Sequence, residues 1–537
     1  MLVLSVDIDG AERAILFSAG STVRTALESA EVRIRSGCRG DGACGLCLVR
    51  VESGTVRNPN RTEILTLSPE QINDGIRLAC QLVPESDLSV SLVTAATASP
   101  WRELAPEELP LSPVNTTGGF AGASAGRYGL AVDLGTTNIS LSLRDLRDGR
   151  RVFSRVGPNP QSRYGFDVVS RLVAATESPD NARDLAGSTI AEIARETLAS
   201  CFRHGLSGED IGRVLLVGNT AMTVLLSGTA PDLLLEPKHW AEPVEIRPPD
   251  AVSISTELGI DRRASVEIAA PVAGFVGSDL LAGVLAADLA RTPGAVLIDF
   301  GTNSEIALWD GRTLWVTSAA GGPAFESSQT RCGMPAEPGA VYRVELAPVS
   351  GQWDLRVIGG GIPKGFCGSG LVDLLGLLRQ TGRLSVTGSF AGGADGITIR
   401  YDGDHPLRLT KSDVDMFQRA KAAIGAGLEK LLTLAGIRRD GISRLCIAGT
   451  FGQHLNVEMA EEVGLLPGIP AERVELCGNT ALAGAELLLL SQTAAADEVS
   501  LRRSVRMVNL ANEPDFDDVF LDNLYLRRKA KGWNNND

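Results

Sequence analysis

The sequence has no apolar run long enough to cross a bilayer, no basic stripe, and only 4 histidines, none at ligand spacing. The first absence argues against a membrane protein. The second, together with a formal net charge of −14, argues against a nucleic-acid partner. The N-terminal MLVLSVDIDGAERAILF lacks the basic start and small-residue cleavage site of a signal peptide, so a cytoplasmic location is expected. Disulfides are not expected there, and the 9 cysteines are better explained as ligands or small buried apolar residues. What is present is an ordinary globular composition, 44% hydrophobic and 22% charged. The 537 residues suffice for roughly two to four domains.

Three cysteines stand in GCRGDGACGLC, namely Cys38, Cys44 and Cys47, and Cys80 follows in RLACQLV. The spacing is C-x(5)-C-x(2)-C with a distant fourth cysteine, and Gly37, Gly40, Gly42 and Gly45 interleave with it. A loop that wraps a cluster needs that freedom, because its amides must turn inward toward the sulfurs. A four-cysteine zinc site prefers two C-x(2–4)-C pairs, and Cys80 stands alone. Upstream, Leu2 to Asp9 and Arg13 to Phe17 alternate around the hairpin signal Asp9-Gly10, and Ser21 to Leu27 has the form of a capped short helix. The segment resembles the [2Fe–2S] ferredoxin fold, an α+β β-grasp domain, with adrenodoxin-like ligand spacing. That resemblance implies one [2Fe–2S] cluster on Cys38, Cys44, Cys47 and Cys80.

A second pattern organises the rest. In YGLAVDLGTTNISLSLRD an apolar run leads through Asp133 into Gly135, Thr136, Thr137 and Asn138, and an alternating run leaves. This is a hairpin whose turn presents backbone N–H groups and two hydroxyls. One such hairpin says little, since Asp, Gly and Asn suit any turn. GAVLIDFGTNSEIALWDG repeats it, with Asp299, Gly301, Thr302 and Asn303. Each half then continues with helices and buried strands closed by Gly-rich turns: Gly218-Asn219-Thr220-Ala221 and Gly277-Ser278-Asp279, then Gly449-Thr450-Phe451-Gly452 and Gly478-Asn479-Thr480-Ala481. The repeat resembles the actin-like ATPase superfamily, an α/β duplicated, ribonuclease H-like fold with two lobes around a nucleotide cleft. The resemblance implies phosphate loops at the two hairpins, an adenosine loop at Gly449, Phe451 and Gly452, and ATP with Mg²⁺ handled by Asp133 and Asp299.

The expected domains are therefore 1–94, the ferredoxin; 95–126, a flexible linker rich in Pro, Ala, Gly, Ser and Thr; 127–293, lobe I; and 294–537, lobe II with a C-terminal segment. Glu326 stands in a Gly-rich turn expected to line the cleft. Activators of 2-hydroxyacyl-CoA dehydratases share the ATPase fold and bridge subunits with a [4Fe–4S] cluster. Cys332 and Cys367 are the cysteines available for that, but small buried thiols are expected at both, as at Cys201, Cys446 and Cys477.

The fusion as a whole resembles the reductive activators of corrinoid-dependent methyltransferases, in the segments DLGTTN, NPQ-x(2)-YG-x-DV, GNTAM, DFGTNSEI, GPAFE, CGSG and AG-x-FG. This implies one-electron reduction of cob(II)alamin to cob(I)alamin on a corrinoid protein, fed by an external low-potential donor and driven by ATP. The ATPase begins almost directly after the linker, with little room for an extra middle domain, so a homodimer lacks an evident dimerising module. Two other classes share the motifs. A small-molecule kinase would need a general base that nothing singles out; a redox-sensing, nucleotide-dependent binding protein would use the cluster without turnover.

Overall fold

Alternation at the N-terminus produces a hairpin of β1 (Leu2–Ile8) and β2 (Ala11–Phe17), whose register ends at Ile8↔Ala11. The expected Asp9-Gly10 connection itself lies outside the described residues. The computed structural model describes the chain apart from residues 9–10, 31, 33, 35–39, 43–44, 94–100, 106–107, 110–125, 166, 230, 248–249, 302, 320, 322–329, 331, 348–350, 401–405 and 530–537. It divides into two units, Met1–Pro100 with Gln161–Arg171, and Trp101–Pro160 with Leu172–Asp537.

In the first unit the hairpin is followed by α1 (Val23–Ser29), β3 (Leu48–Ser53), α2 (Arg61–Thr66), β4 (Ile76–Leu78) and β5 (Leu88–Leu92). The strands form one mixed sheet in the order β2-β1-β5-β3-β4. Thr22 caps α1 by accepting the Thr25 amide, a contact worth about 1 kcal/mol. The helix lays Val23, Ala26 and Leu27 against Leu4, Val6, Phe17, Val49 and Leu78, all buried, and this is the unit's core. Behind β4, Arg77 and Glu63 form a buried bidentate ion pair, and Glu63 also accepts the Leu78 amide at 3.1 Å. Breaking such a pair one-sidedly costs about 3–5 kcal/mol.

The second unit contains the duplication. Its first sheet comprises β6 (Arg102–Glu103), β7 (Tyr128–Leu134), β8 (Asn138–Asp145), β9 (Arg151–Pro158), β10 (Ile211–Gly218) and β11 (Ser265–Ile268), in the order β11-β10-β7-β8-β9-β6. Helix α3 (Pro179–Arg203) comes between β9 and β10, and α4 (Ser278–Ala286) follows β11. The second sheet comprises β12 (Ala295–Phe300), β13 (Ser304–Trp309), β14 (Leu314–Ala319), β15 (Arg444–Ala448), β16 (Val474–Gly478) and β17 (Val505–Met507), in the matching order β16-β15-β12-β13-β14-β17. Helix α5 (Lys411–Ala435) precedes β15 and α6 (Thr480–Leu490) follows β16. A small sheet of Ala340–Leu346, Trp353–Val357 and Gly365–Phe366 is inserted in the second half.

Two features place the site. First, α4 and α6 exchange sheets. Leu280, Leu281 and Val284 of the first repeat pack on Leu297, Ala307 and Val316 of the second sheet. Leu482, Ala485 and Leu489 of the second repeat pack on Ala131, Leu215 and Val217 of the first. The helices meet at small residues: a methyl on Gly484 would lie 2.0 Å from the Ala282 carbonyl oxygen. Second, part of the stretch expected as a linker is docked. Arg102 and Glu103 pair with Val156 and Arg155 of β9, and Trp101 Nε1 donates to Glu192 at 2.5 Å. Arg102 grips Glu108 with both guanidinium nitrogens, so Trp101–Ala105 belongs to the ATPase sheet. No helix among the described residues is long and apolar enough to cross a membrane.

Candidate functional site

Both expected hairpins form, and they differ in length. In the first, Leu134↔Ile139 closes a four-residue turn, Gly135 to Asn138; in the second, Phe300↔Ser304 closes a three-residue turn, Gly301 to Asn303. Asn159 pins the first turn, its backbone N–H on Thr137 O and its Nδ2 on Gly135 O, each at 2.9 Å. It is fully buried, so the NPQ segment is a brace for the turn. In the second turn the Gly301 amide donates to Asn303 O at 3.1 Å, and Thr302 lies outside the described residues.

The carboxylate ahead of each turn meets different company. Asp133 stands opposite Ser140 across the hairpin, and Asn479 Nδ2 donates to both, 2.9 Å to Asp133 Oδ2 and 3.1 Å to Ser140 Oγ. Asp299 stands opposite Glu305 instead. Opposed residues have Cβ atoms about 5 Å apart, so two carboxylates share that face. Asp279, in the first turn of α4, makes a third. Burial, then Asp133 and Asp299, push the Asp279 carboxyl up to about 8. Burial, then Asp279, Asp299 and Asp133, raise Glu305 well above the ordinary carboxylate range. Asp133 is pushed up to about 6 by burial, against the hydrogen bonds from Asn479 and Ser140. Glu305 is only 6% exposed, and its Oε1 has no hydrogen-bond partner among the described residues. Clustered carboxylates with an unsatisfied oxygen are the donor set a hard divalent cation takes, and they fit Mg²⁺.

Asp279, Glu305 and Asn479 were missed as site residues by sequence reasoning. Glu305 is in DFGTNSEI and Asn479 in GNTA, so both were in view as motif letters, but the packing of α6 on the other sheet, which brings Asn479 to the first hairpin, is non-local. At the expected adenosine loop, Gly449 has φ +86° and a methyl there would sit 3.0 Å from Asp299 Oδ1 and 2.5 Å from Phe300 O. The loop thus lies directly on the second carboxylate. Gly452 is equally crowded, 2.9 Å from Ile447 O by the same measure. The Phe451 ring is buried against Phe300, centroids 4.7 Å apart, so it supports the loop from the core side rather than offering a face to a ligand. Glu326 lies outside the described residues.

In the first unit, Cys38 and Cys44 also lie outside the described residues. Cys47 and Cys80 are buried, brought together by a hydrogen bond from the Ala79 amide to Cys47 O at 2.7 Å. Gly40, Gly42 and Gly45 take φ of +107°, +80° and +65°, which ordinary residues avoid. A methyl on Gly42 would lie 2.5 Å from the Thr62 methyl of α2, so the loop also hugs that helix. Gln81 Nε2 lies 3.7 Å from Cys80 Sγ, a polar hydrogen aimed at sulfur. Buried thiols, left-handed glycines and a donor to sulfur fit an iron–sulfur centre. Cys332 and Cys367 are buried at 5% and 4% exposure, which disfavours an exposed subunit-bridging cluster there.

The family of 2Fe-2S iron-sulfur cluster binding domains matches residues 6–85. Residues 128–292 match the RACo middle region, and 294–535 the C-terminal domain of RACo, the ASKHA domain. The corrinoid activation enzyme RamQ of Eubacterium limosum is 32% identical over 74% of this chain and 70% of its own length. The chain belongs to the RACo family of corrinoid reductive activators. Among other RACo-like proteins, the [Co(II) methylated amine-specific corrinoid protein] reductase of Methanosarcina barkeri is 25% identical over 73% of this chain and 76% of its own. A solved reductive activator for corrinoid, iron-sulfur protein superposes with a TM-score of 0.66 at 27% identity, covering 98% of both chains. The RACo assignment corrects one expectation. A middle region is present, and it is the first lobe, residues 128–292, rather than an additional domain for which room was lacking.

Proposed function

We propose that this chain reduces the cobalt(II) of a corrinoid protein to cobalt(I), using ATP to drive a step that is uphill for its electron donor. The observation that carries the reading is the union, in one chain, of a 2Fe-2S cluster-binding domain with a duplicated ATPase fold whose two hairpins converge on a carboxylate cluster. The relatives are named for corrinoid activation and corrinoid protein reduction, which supports the same partner here.

Cys38, Cys44, Cys47 and Cys80 would hold the [2Fe–2S] cluster, which when bound supplies a one-electron centre. The flanking glycines turn backbone amides inward, and Gln81 adds a side-chain donor at Cys80. In the second unit, Gly135, Thr136, Thr137 and Asn138 and their counterparts Gly301, Thr302 and Asn303 offer amides and hydroxyls to the phosphates of ATP. Asp299, Glu305 and Asp279 would hold hydrated Mg²⁺. Asp133, kept in place by Asn479, orients the attacking water and draws its proton, a task suited to a carboxyl raised to about 6. Gly449 and Gly452 let the backbone of the base-binding loop pack directly on Phe300 and Ile447. Nucleotide state then acts through the junction of α4 and α6, and it can shift the cobalt equilibrium only by the difference in partner affinity between states. An external low-potential donor refills the cluster.

The test mixes anaerobically purified protein with a corrinoid methyltransferase system and a low-potential donor, following cob(I) absorbance. About two irons and two sulfides per chain and ATP-dependent cob(I) are expected. Zinc in place of iron after anaerobic reconstitution, or equal cob(I) formation by the ferredoxin half without ATP, would refute it.

A further inference from the structure

Arg24 is only 9% exposed, a costly position for a cation unless something nearby is negative. Backbone bonds fix where it stands. The Val23 and Arg24 amides, in the first turn of α1, donate to Leu82 O and Ala79 O at 2.9 Å each, lacing the helix start to the turn that carries Cys80. A methyl on Gly40 would sit 3.6 Å from Arg24 Nη1 and 3.8 Å from Cys80 Cβ, so guanidinium and cysteine border the same glycine. One helical turn on, Glu28 accepts from Arg24 Nε at 2.6 Å, with its side chain 34% exposed. Burial works against the Arg24 charge, but Glu28, and after it Cys47 and Cys80, outweigh burial and raise the pKa.

We propose that Arg24 sets the reduction potential of the cluster and that Glu28 trims its effect; this rests on reading Cys38, Cys44, Cys47 and Cys80 as the ligands. Four thiolates make the oxidised centre net negative, and reduction adds one more electron from the external donor. A fixed cation in a poorly screened position stabilises that added charge, and solvent-facing Glu28 offsets part of the gain. No proton moves, because the guanidinium is charged in both redox states. Arg24 therefore makes the cluster easier for the donor to fill and the onward transfer to cobalt steeper, the step that ATP must help.

The test is a reductive titration of the anaerobically purified full chain, with the reduced cluster followed by EPR. Arg24→Gln should lower the reduction equilibrium constant at least tenfold, a downward midpoint shift of about 59 mV for a one-electron couple. Arg24→Lys should keep most of the parent midpoint, and Glu28→Gln should move it upward. An unchanged midpoint in both Arg24→Gln and Glu28→Gln overturns the proposal, as does an equal fall in Arg24→Gln and Arg24→Lys. If Arg24→Gln fails to hold iron, the sign of the Glu28→Gln shift decides alone. Iron missing from the parent protein would instead refute the ligand reading.

Discussion

Asn479 reaches from the N-terminus of α6 to Asp133, Nδ2 to Oδ2 at 2.9 Å, while its own backbone N–H donates to Glu108 O at 3.0 Å. One residue of the second repeat thus clamps the carboxylate of the first. In the second hairpin, Glu305 takes the place that Ser140 has in the first, and the helix nearby brings Asp279 rather than an amide. The two halves of a duplicated fold have diverged, one hairpin carboxylate hydrogen-bonded to neutral groups, the other faced by further acids.

Asn479 also caps α6, accepting the Leu482 amide at 2.8 Å. Asn479→Ala should destabilise by about 1–3 kcal/mol through the lost hydrogen bonds. Asn479→Ser should recover about 1 kcal/mol of that as a cap but not reach Asp133. Thermal melts should separate the two variants, and ATP turnover should be lost in both; parent turnover in Asn479→Ser would show that the clamp is not needed.

Asp299→Asn removes a charge at constant volume. It should leave the fold intact and lower ATP turnover at least a hundredfold, on the order of 3 kcal/mol in the barrier. Glu305→Gln relieves like-charge crowding, so the metal-free protein should melt higher while Mg²⁺-nucleotide affinity falls. Calorimetry with and without Mg²⁺ reads both, and a Glu305→Gln protein that melts lower without metal would contradict the crowding argument.

The raised carboxyls give the metal-free protein an inverted pH dependence. Asp133 at about 6 and Asp279 at about 8 bind protons more tightly folded than unfolded. Their stabilising contribution is complete below about pH 4 and is lost as pH rises through about 6 and then about 8. With EDTA present, the melting temperature should fall across that window. Mg²⁺ with ADP replaces those protons, so the gain it confers should grow from about pH 6 to about pH 8. A gain that is flat with pH would place the cation elsewhere.

The hairpins, the strand-turn-helix order and the cysteine spacing were legible because each is local: turn chemistry, alternation and glycine placement act within about ten residues. The helix α3 starts at Pro179 under a Ser178 cap, and β15 runs straight into the Gly-rich turn at Gly449. What was not legible is non-local. Asn479 reaches the first hairpin only because α6 packs on the other sheet, and no periodicity reports that. Phe451 read as a ligand contact because its neighbours are glycines, whereas Phe300 settles where its ring goes.

The docked stretch Trp101–Ala105 makes the position of a cut in the linker matter. Cleavage within 110–125 should leave the ferredoxin bound to the ATPase, through the β6–β9 pairing and the Trp101–Glu192 bond. Cleavage within 94–100 should leave Trp101–Ala105 on the ATPase fragment. Mass spectrometry of the fragments, after a site-specific protease and size-exclusion chromatography, reads where the stretch stays. A methyl on Gly157 would lie 2.2 Å from the Trp101 ring, so Gly157→Val should weaken the docking of that stretch.

The strand β6 has a bearing on how the ATPase behaves when separated. It is the last strand of its sheet, and without it β9 presents a bare row of N–H and C=O groups, an invitation for another chain to pair. An ATPase fragment begun at Arg127 loses that cover and the Trp101 bond to Glu192, whereas one begun at Trp101 keeps both. Self-association or aggregation of the shorter fragment would therefore report an uncovered edge, and it would say nothing about the assembly state of the intact protein.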